Sequence, residues 1–138
     1  MPESLDPAAV VAAALRAGAD AAEAVLAERG ALSVSVRLGS LEEVEREESR
    51  DLGLRVFSGR RQATVSTSNL SPDALPRLIE RAVAMAALAP EDPYASLADP
   101  DRLWRGGGPD LELHDPAEPS PEALEARAQA AEDADSQR

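Results

Sequence analysis
Apolar residues recur at every second position in only one long stretch of the chain, Leu32 to Asn69, and a period of two is the mark of extended strands. Leu32, Val34, Val36 and Leu38 alternate with Ser33, Ser35 and Arg37, so one row faces a core and the other faces water. Gly39-Ser40 predicts a turn. Leu54 and Val56, with Leu52, form a second alternating row that ends at Ser58-Gly59. Ala63, Val65 and Thr67 continue a third run rich in β-branched residues. Between the first two rows lie Leu41, Val44 and the charge-dense EEVEREESR, which suit a helical turn or a solvent-facing strand; the flanking turns are too close for a useful helix, which favours the strand.

Outside this stretch the period changes. Asp6-Pro7 is a helix start, with Asp6 placed to accept from the orphan amides and Pro7 where its missing donor costs nothing. Val11, Leu15 and Ala19 or Ala22 then fall on one helical face. Gly18 allows two readings: a helix running on to Arg29, or a helix ending at Ala17 and a strand from Ala21 to Glu28. Glycine costs about 1 kcal/mol inside a helix yet serves well just past its end, while the alanines favour the longer helix. After the strands, Ser71-Pro72-Asp73 opens a second helix, capped by Ser71 and ending near Ala89. Its stripe is Leu75, Leu78, Ile79, Ala82, Val83 and Ala86, with Arg77, Glu80 and Arg81 facing out, so it should cover the sheet.

Pro90 to Pro121 holds seven of the chain's eleven prolines, together with Gly106-Gly107-Gly108, and reads as a linker laid over a surface. EALEARAQAAEDAD follows as a helix whose apolar positions are mostly alanine, marginal alone in water. The predicted fold is α+β: an antiparallel sheet of four or five strands packed by helices, an extended Pro/Gly-rich tail and a partial C-terminal helix. The expected division is a domain over residues 1–100, a linker over 101–120 and the truncated start of another domain over 121–138.

Charge and composition narrow the chemistry. With 14 basic and 26 acidic residues the net charge of −12 repels nucleic-acid phosphates and anionic lipid, which argues against direct DNA binding. The absence of cysteine excludes a disulfide framework, a thiolate zinc site and a cysteine nucleophile, and fits a reduced cytoplasm. No signal peptide is evident in MPESLDP, and no run of about 18 apolar residues could span a bilayer. Aromatic residues are confined to Phe57, Tyr94 and Trp104, so a core of Ala, Val and Leu buries little area per residue and stability leans on neighbours.

No reactive set assembles from the candidates. His114 stands alone in a proline-rich loop, without a second histidine at a ligand spacing. Glu42, Glu43, Glu45, Glu47 and Glu48 offer carboxylate oxygens, but strand alternation divides them between faces, and a charged edge that blocks aggregation is the simpler role. Gly106-Gly107-Gly108 precedes Pro109 and lacks the Lys-Ser/Thr of a phosphate loop. Ser66-Thr67-Ser68 has no base nearby, and Arg60-Arg61 is a basic turn rather than a patch. No catalytic, cofactor-binding or metal-binding residue is therefore assigned.

The order of the pieces is more telling than any one of them. Gly18 to Glu23 (GADAAE), LSVSVRLGSLEEVE, LGLRVFSGRRQATVSTSNLSPDAL and the proline-marked APEDPYASLADP together resemble the N-terminal region of the TldD/PmbA family. Pro90-Glu91-Asp92-Pro93-Tyr94 and the later DLELHDPAEPSPEAL are similar to the PmbA branch, also called TldE. The likeness covers residues 8 to 135. It implies a subunit of a cytoplasmic bacterial TldD/TldE metalloprotease, linked to peptide proteolysis and to maturation of peptide antibiotics, with turnover of antitoxin and an older description as modulators of DNA gyrase. In that family an HExxxH zinc site lies in the C-terminal domain of TldD, and TldE-type subunits lack a functional one. The chain contains no HExxxH, so zinc is expected in a partner or in a missing C-terminal domain. The resemblance further implies a hetero-oligomer with a TldD-like subunit, peptide substrates, and a first helix ending near Ala17 before a strand over Ala21 to Glu28. Two other readings are a peptide-binding module acting by β-strand addition and the substrate-guiding part of an active metallopeptidase.

Overall fold
A computed structural model describes residues 5–136. The outermost parts of the expected first and last segments, residues 1–4 and 137–138, lie outside the described residues. The elements run α1 (Pro7–Arg16), β1 (Ala21–Arg37), β2 (Ser40–Ser58), β3 (Arg61–Thr67), α2 (Ala74–Leu88), a short 3-10 turn (Pro100–Arg102) and α3 (Pro121–Ser136). The α+β class is as expected.

Among the described residues the sheet has three strands in the order β1-β2-β3, rather than four or five. Two expected pairs of short strands are each one long strand. Ala21–Glu28 runs without a break through Gly30 into the Leu32 row, and the glutamate-rich segment runs straight into Leu52–Ser58. A hairpin partner on the other strand keeps supplying ladder hydrogen bonds, so neither Gly30 nor the charged residues need end the pairing. The connection between β1 and β2 is Leu38-Gly39, both at positive φ (53° and 72°), the backbone of a two-residue hairpin turn. It falls one residue earlier than the expected Gly39-Ser40. The next turn centres on Gly59-Arg60 instead of Ser58-Gly59, and β2 pairs antiparallel with β3 from Leu52↔Thr67 to Ser58↔Arg61.

The described chain forms two compact units, residues 5–28 with 49–104, and residues 29–48 with 105–136. The first holds the core. Leu52, Leu54 and Val56 of β2 are fully buried on one face, beside Ala63 and Val65 of β3. On that face they meet Val10 and Ala14 of α1 and Ile79, Ala82 and Ala86 of α2 in one cluster. Three of the five buried helix residues are alanines, so those positions add little side-chain volume to the core. Alternation puts Arg55 and Phe57 on the opposite face, where the Arg55 guanidinium lies 5.1 Å from the ring centroid of Phe57 and 2.7 Å from Glu23.

Both helix ends of α1 are chemically determined. The Asp6 carboxylate accepts from the Ala8 amide at 2.9 Å. At the other end Gly18, with φ 106°, donates to Leu15 and Ala19 donates to Ala14, each at 3.1 Å. That crossed pair of bonds is a Schellman stop, which needs a residue tolerant of positive φ; the helix therefore stops at Arg16 with Ala17 as its cap, close to where the shorter reading put it. The start of α2 differs from expectation. Its N-cap is Asp73, and the Ser71 carbonyl accepts from Ala74 and Leu75 at 3.0 and 3.2 Å. The Ser71 amide is itself taken by Asn69 Oδ1 at 3.1 Å, so backbone winds the first turn and the serine side chain does not cap it.

In the second unit the half-buried positions of α3, Leu124, Glu125, Ala128, Gln129 and Glu132, lie along one helical face. Glu132 reaches the hairpin turn: its two carboxylate oxygens accept from the Leu38 and Gly39 amides at 2.6 and 2.8 Å.

Candidate functional site
Hydrogen bonds and an ion pair gather around the β2–β3 turn. Gly59 takes φ 58°, and its amide donates to Asp20 Oδ2 at 2.6 Å. The Asp20 amide donates to the Phe57 carbonyl at 2.9 Å, so Asp20 fastens the strand end from both its backbone and its side chain. Arg60 and Arg61, which read as a bare basic turn, each bind the segment after α2. Arg60 accepts at its carbonyl from the Asp92 amide at 2.8 Å, and its guanidinium donates to the Pro93 carbonyl. Arg61 donates to the Ala87 carbonyl at 2.9 Å and lies 3.3 Å from Glu91.

These bonds give the proline-marked APEDPY segment its shape. The Asp92 side chain accepts from the Tyr94 amide at 2.9 Å, and the Asp92 carbonyl accepts from Ala95 at 3.0 Å. Ala95 is buried, while Tyr94 is 89% exposed. Carboxylates held by amides and guanidinium groups are positioned as struts and carry no proton-transfer geometry toward a neighbour. Sequence spacing did not bring Asp20, Arg60, Arg61 and Asp92 together. The available signal was the pairing of opposite charges beside two turn-forming stretches, Gly59-Arg60-Arg61 and Pro90-Glu91-Asp92.

The other candidates remain apart. His114 lies in the open tail, where its surroundings are its own segment, Pro109 to Pro116. Glu42, Glu43, Glu45, Glu47 and Glu48 are exposed along β2, with Arg37 3.6 Å from Glu42 and Arg46 3.3 Å from Glu48. Gly106-Gly107-Gly108 is irregular chain with no helix after it to bind phosphate. Thr67 bonds the Asn69 amide at 3.0 Å, a local turn contact. Among the described residues no three His, Asp or Glu side chains come together as a metal site. The donor set of this segment thus does not fit the zinc that the resemblance implies for the family.

An open apolar groove of about 300 Å³ runs between α1 and α2, with Leu5, Val10, Ala13, Leu75 and Ile79 along it and Glu80 as its charged member. It is a surface for packing, lacking any acid-base pair. No helix among the described residues is long and apolar enough to cross a membrane.

Comparison with known proteins gives these features a context. Residues 22–86 match PmbA/TldA metallopeptidase domain 1. The metalloprotease PmbA of Escherichia coli O157:H7 is 38% identical over 112 residues, which are 80% of this chain and 25% of that protein. The metalloprotease PmbA homolog of Haemophilus influenzae is 41% identical over 105 residues, 76% of this chain and 23% of the relative. The chain thus spans about a quarter of the length of the curated relatives it matches. A crystal structure of a candidate modulator of DNA gyrase from Bacteroides thetaiotaomicron aligns with a TM-score of 0.72 at 26% identity, over 80% of this chain and 25% of that one. TldE from Thermococcus kodakarensis aligns with a TM-score of 0.64 over 94% of this chain and 29% of that one; at 23% identity it speaks to the fold alone.

Proposed function
The chain belongs to the PmbA/TldD metallopeptidase family, resembling its N-terminal region, and we propose that it is the N-terminal domain of a PmbA/TldE-like subunit of a cytoplasmic TldD/TldE-type metalloprotease. In this reading the chain is non-catalytic and contributes a folded wall and contacts to a TldD-like partner. Zinc and its chemistry belong to that partner or to a C-terminal domain, and the substrates are peptides undergoing proteolysis or maturation. The observation that carries the reading is the 38% identity to a metalloprotease PmbA across four-fifths of this chain. It is supported by the hydrogen bonds and ion pairs that bind Asp20, Arg60, Arg61, Glu91 and Asp92 to one another and to backbone. Co-expression with a TldD-like subunit tests it: the two should elute as one complex in size-exclusion chromatography, and separate elution would count against the pairing.

A second reading is favoured by one feature of the sheet. β3 pairs with Leu52 to Ser58, so among the described residues the same side of β2 from Ser40 to Asp51 has no strand neighbour, and an extended peptide could add there. Unstructured peptides should then shift the amide resonances of residues 40–51, and unchanged spectra would dispose of the idea. The remaining alternative, a substrate-guiding portion of a self-sufficient metallopeptidase, requires an in-frame HExxxH downstream of Arg138.

A further inference from the structure
The hairpin turn at Leu38-Gly39 runs against the local sequence. Leu38 is held at φ 53°, a left-handed state in which the Cβ of an L-residue crowds the following carbonyl, and its side chain is 87% exposed. One residue further on, Gly39-Ser40 offers a two-residue turn with glycine at the first central position, the arrangement of a type II′ turn. Turning there returns Leu38 to the strand, where it completes the apolar row of Leu32, Val34 and Val36.

The shifted register is geometrically open to the chain. Moving a two-residue turn along by one position changes each cross-strand partner by two residues, so every side chain keeps its face; a slip of one would flip them all. Leu38 then stands opposite Leu41, itself 46% exposed. Arg37 stands directly opposite Glu42, from which it now lies 3.6 Å away as a diagonal neighbour. Nearer the base of the hairpin, Glu28–Arg50 at 2.6 Å and Glu23–Arg55 at 2.7 Å fix β1 against β2. The shift at the tip leaves two extra residues on β1, in the exposed stretch Arg29-Gly30-Ala31, where glycine suits a bulge.

The observed turn has Glu132 in its favour. The two carboxylate oxygens accept from the Leu38 and Gly39 amides at 2.6 and 2.8 Å, and bonds to an ionised acceptor are the stronger kind. In the shifted register Leu38 becomes the strand residue beside the turn and its amide belongs to the ladder with Leu41, so the carboxylate loses that donor. We propose that Glu132 selects the register of the outer β1–β2 hairpin: with α3 docked the turn is Leu38-Gly39, and with α3 away it is Gly39-Ser40. Helix docking and strand register are then one equilibrium, and each biases the other. The element with two arrangements is residues 29–48, governed by one carboxylate on a helix that is marginal by itself.

NMR of this chain and three variants tests the switch. The pair next to the residues flanking a two-residue turn is not hydrogen-bonded and brings its α-protons close together. The observed register therefore gives a Val36–Leu41 α-proton contact, and the shifted one an Arg37–Glu42 contact. Glu132→Ala should lose the first and gain the second. Adding Leu38→Asn to it supplies the Asn-Gly pair that a left-handed turn prefers, and should restore the Val36–Leu41 contact without Glu132. Leu38→Val, with a branched Cβ unsuited to positive φ, should shift the turn with Glu132 present and speed amide exchange in α3. Retention of the Val36–Leu41 contact in Glu132→Ala would overturn selection by the carboxylate, and loss of both contacts would overturn the second register. A shifted turn in the double variant would overturn backbone strain as the opposing force. A shifted turn in Leu38→Val with unchanged exchange in α3 would overturn the coupling.

Discussion
Leu54→Ala examines whether this thin core has any capacity to repack. Leu54 is fully buried, sits opposite Val65 in the β2–β3 ladder, and shares its face with Leu52 and Val56. Those three are the largest fully buried side chains described. Truncation removes three carbons from the centre, worth about 2–3 kcal/mol of transfer free energy at roughly 0.8 kcal/mol per methylene. The cavity adds to that unless the walls close, and a measured series of such truncations spans about 3–5 kcal/mol. Here the buried residues on the helix side are Val10, Ala14, Ile79, Ala82 and Ala86, and the three alanines among them have no rotamer with which to fill a void. The expected loss is therefore about 3–4 kcal/mol, a large share of the roughly 5–15 kcal/mol available to an ordinary domain. In urea denaturation followed by far-UV circular dichroism, the midpoint should fall by about 2 M for a slope near 1.5 kcal/mol per M. Trp104, which is 78% exposed, would be a poor reporter. A loss below about 1 kcal/mol would refute the reasoning, because it would mean that the alanine-lined interior collapses freely.

Three further outcomes follow from local chemistry. Asp20→Ala leaves the Gly59 amide without its 2.6 Å acceptor and should cost about 1–2 kcal/mol, read as a lower melting temperature together with faster exchange of the Gly59 amide. Glu132→Ala should loosen α3, an alanine-rich helix marginal by itself, giving weaker ellipticity at 222 nm and faster amide exchange across residues 121–136. The Glu122 carboxyl is held below the ordinary glutamate range, first by a hydrogen bond from the Ser120 side chain and then by one from its own backbone. A depressed folded pKa contributes stability that is complete above the unfolded value and lost as pH falls through the folded one. NMR titration should accordingly find the Glu122 pKa raised in Ser120→Ala, with the wild type's small extra acid sensitivity of α3 gone; an unchanged pKa would contradict the assignment.

What could be read from the residues follows from how local each signal is. Gly18 left the end of the first helix open, because a glycine tolerates the positive φ of a Schellman stop while the alanines favour a longer helix, and only the resemblance chose the stop near Ala17; the alternation of Leu52, Leu54 and Val56 marked the core face because its period is two. Strand number departs from expectation where pairing overrides composition: glycine and a run of glutamates suggest breaks, yet a hairpin partner carries the ladder through them. The ties at Asp20, Arg60, Arg61 and Asp92, and the reach of Glu132 to the hairpin turn, join positions far apart in the chain. No periodicity encodes such contacts. The family resemblance came from the order of several short motifs, and the matches to PmbA relatives bear it out.

The most direct test is peptide cleavage by the purified chain, assayed with added zinc, alone and beside a TldD-like subunit with which it is co-purified. The account predicts no turnover by the chain alone and chelator-sensitive turnover by the complex. Chelator-sensitive cleavage by the chain alone, lost on Glu or His substitution within it, would contradict the claim that it acts as a wall for chemistry located elsewhere.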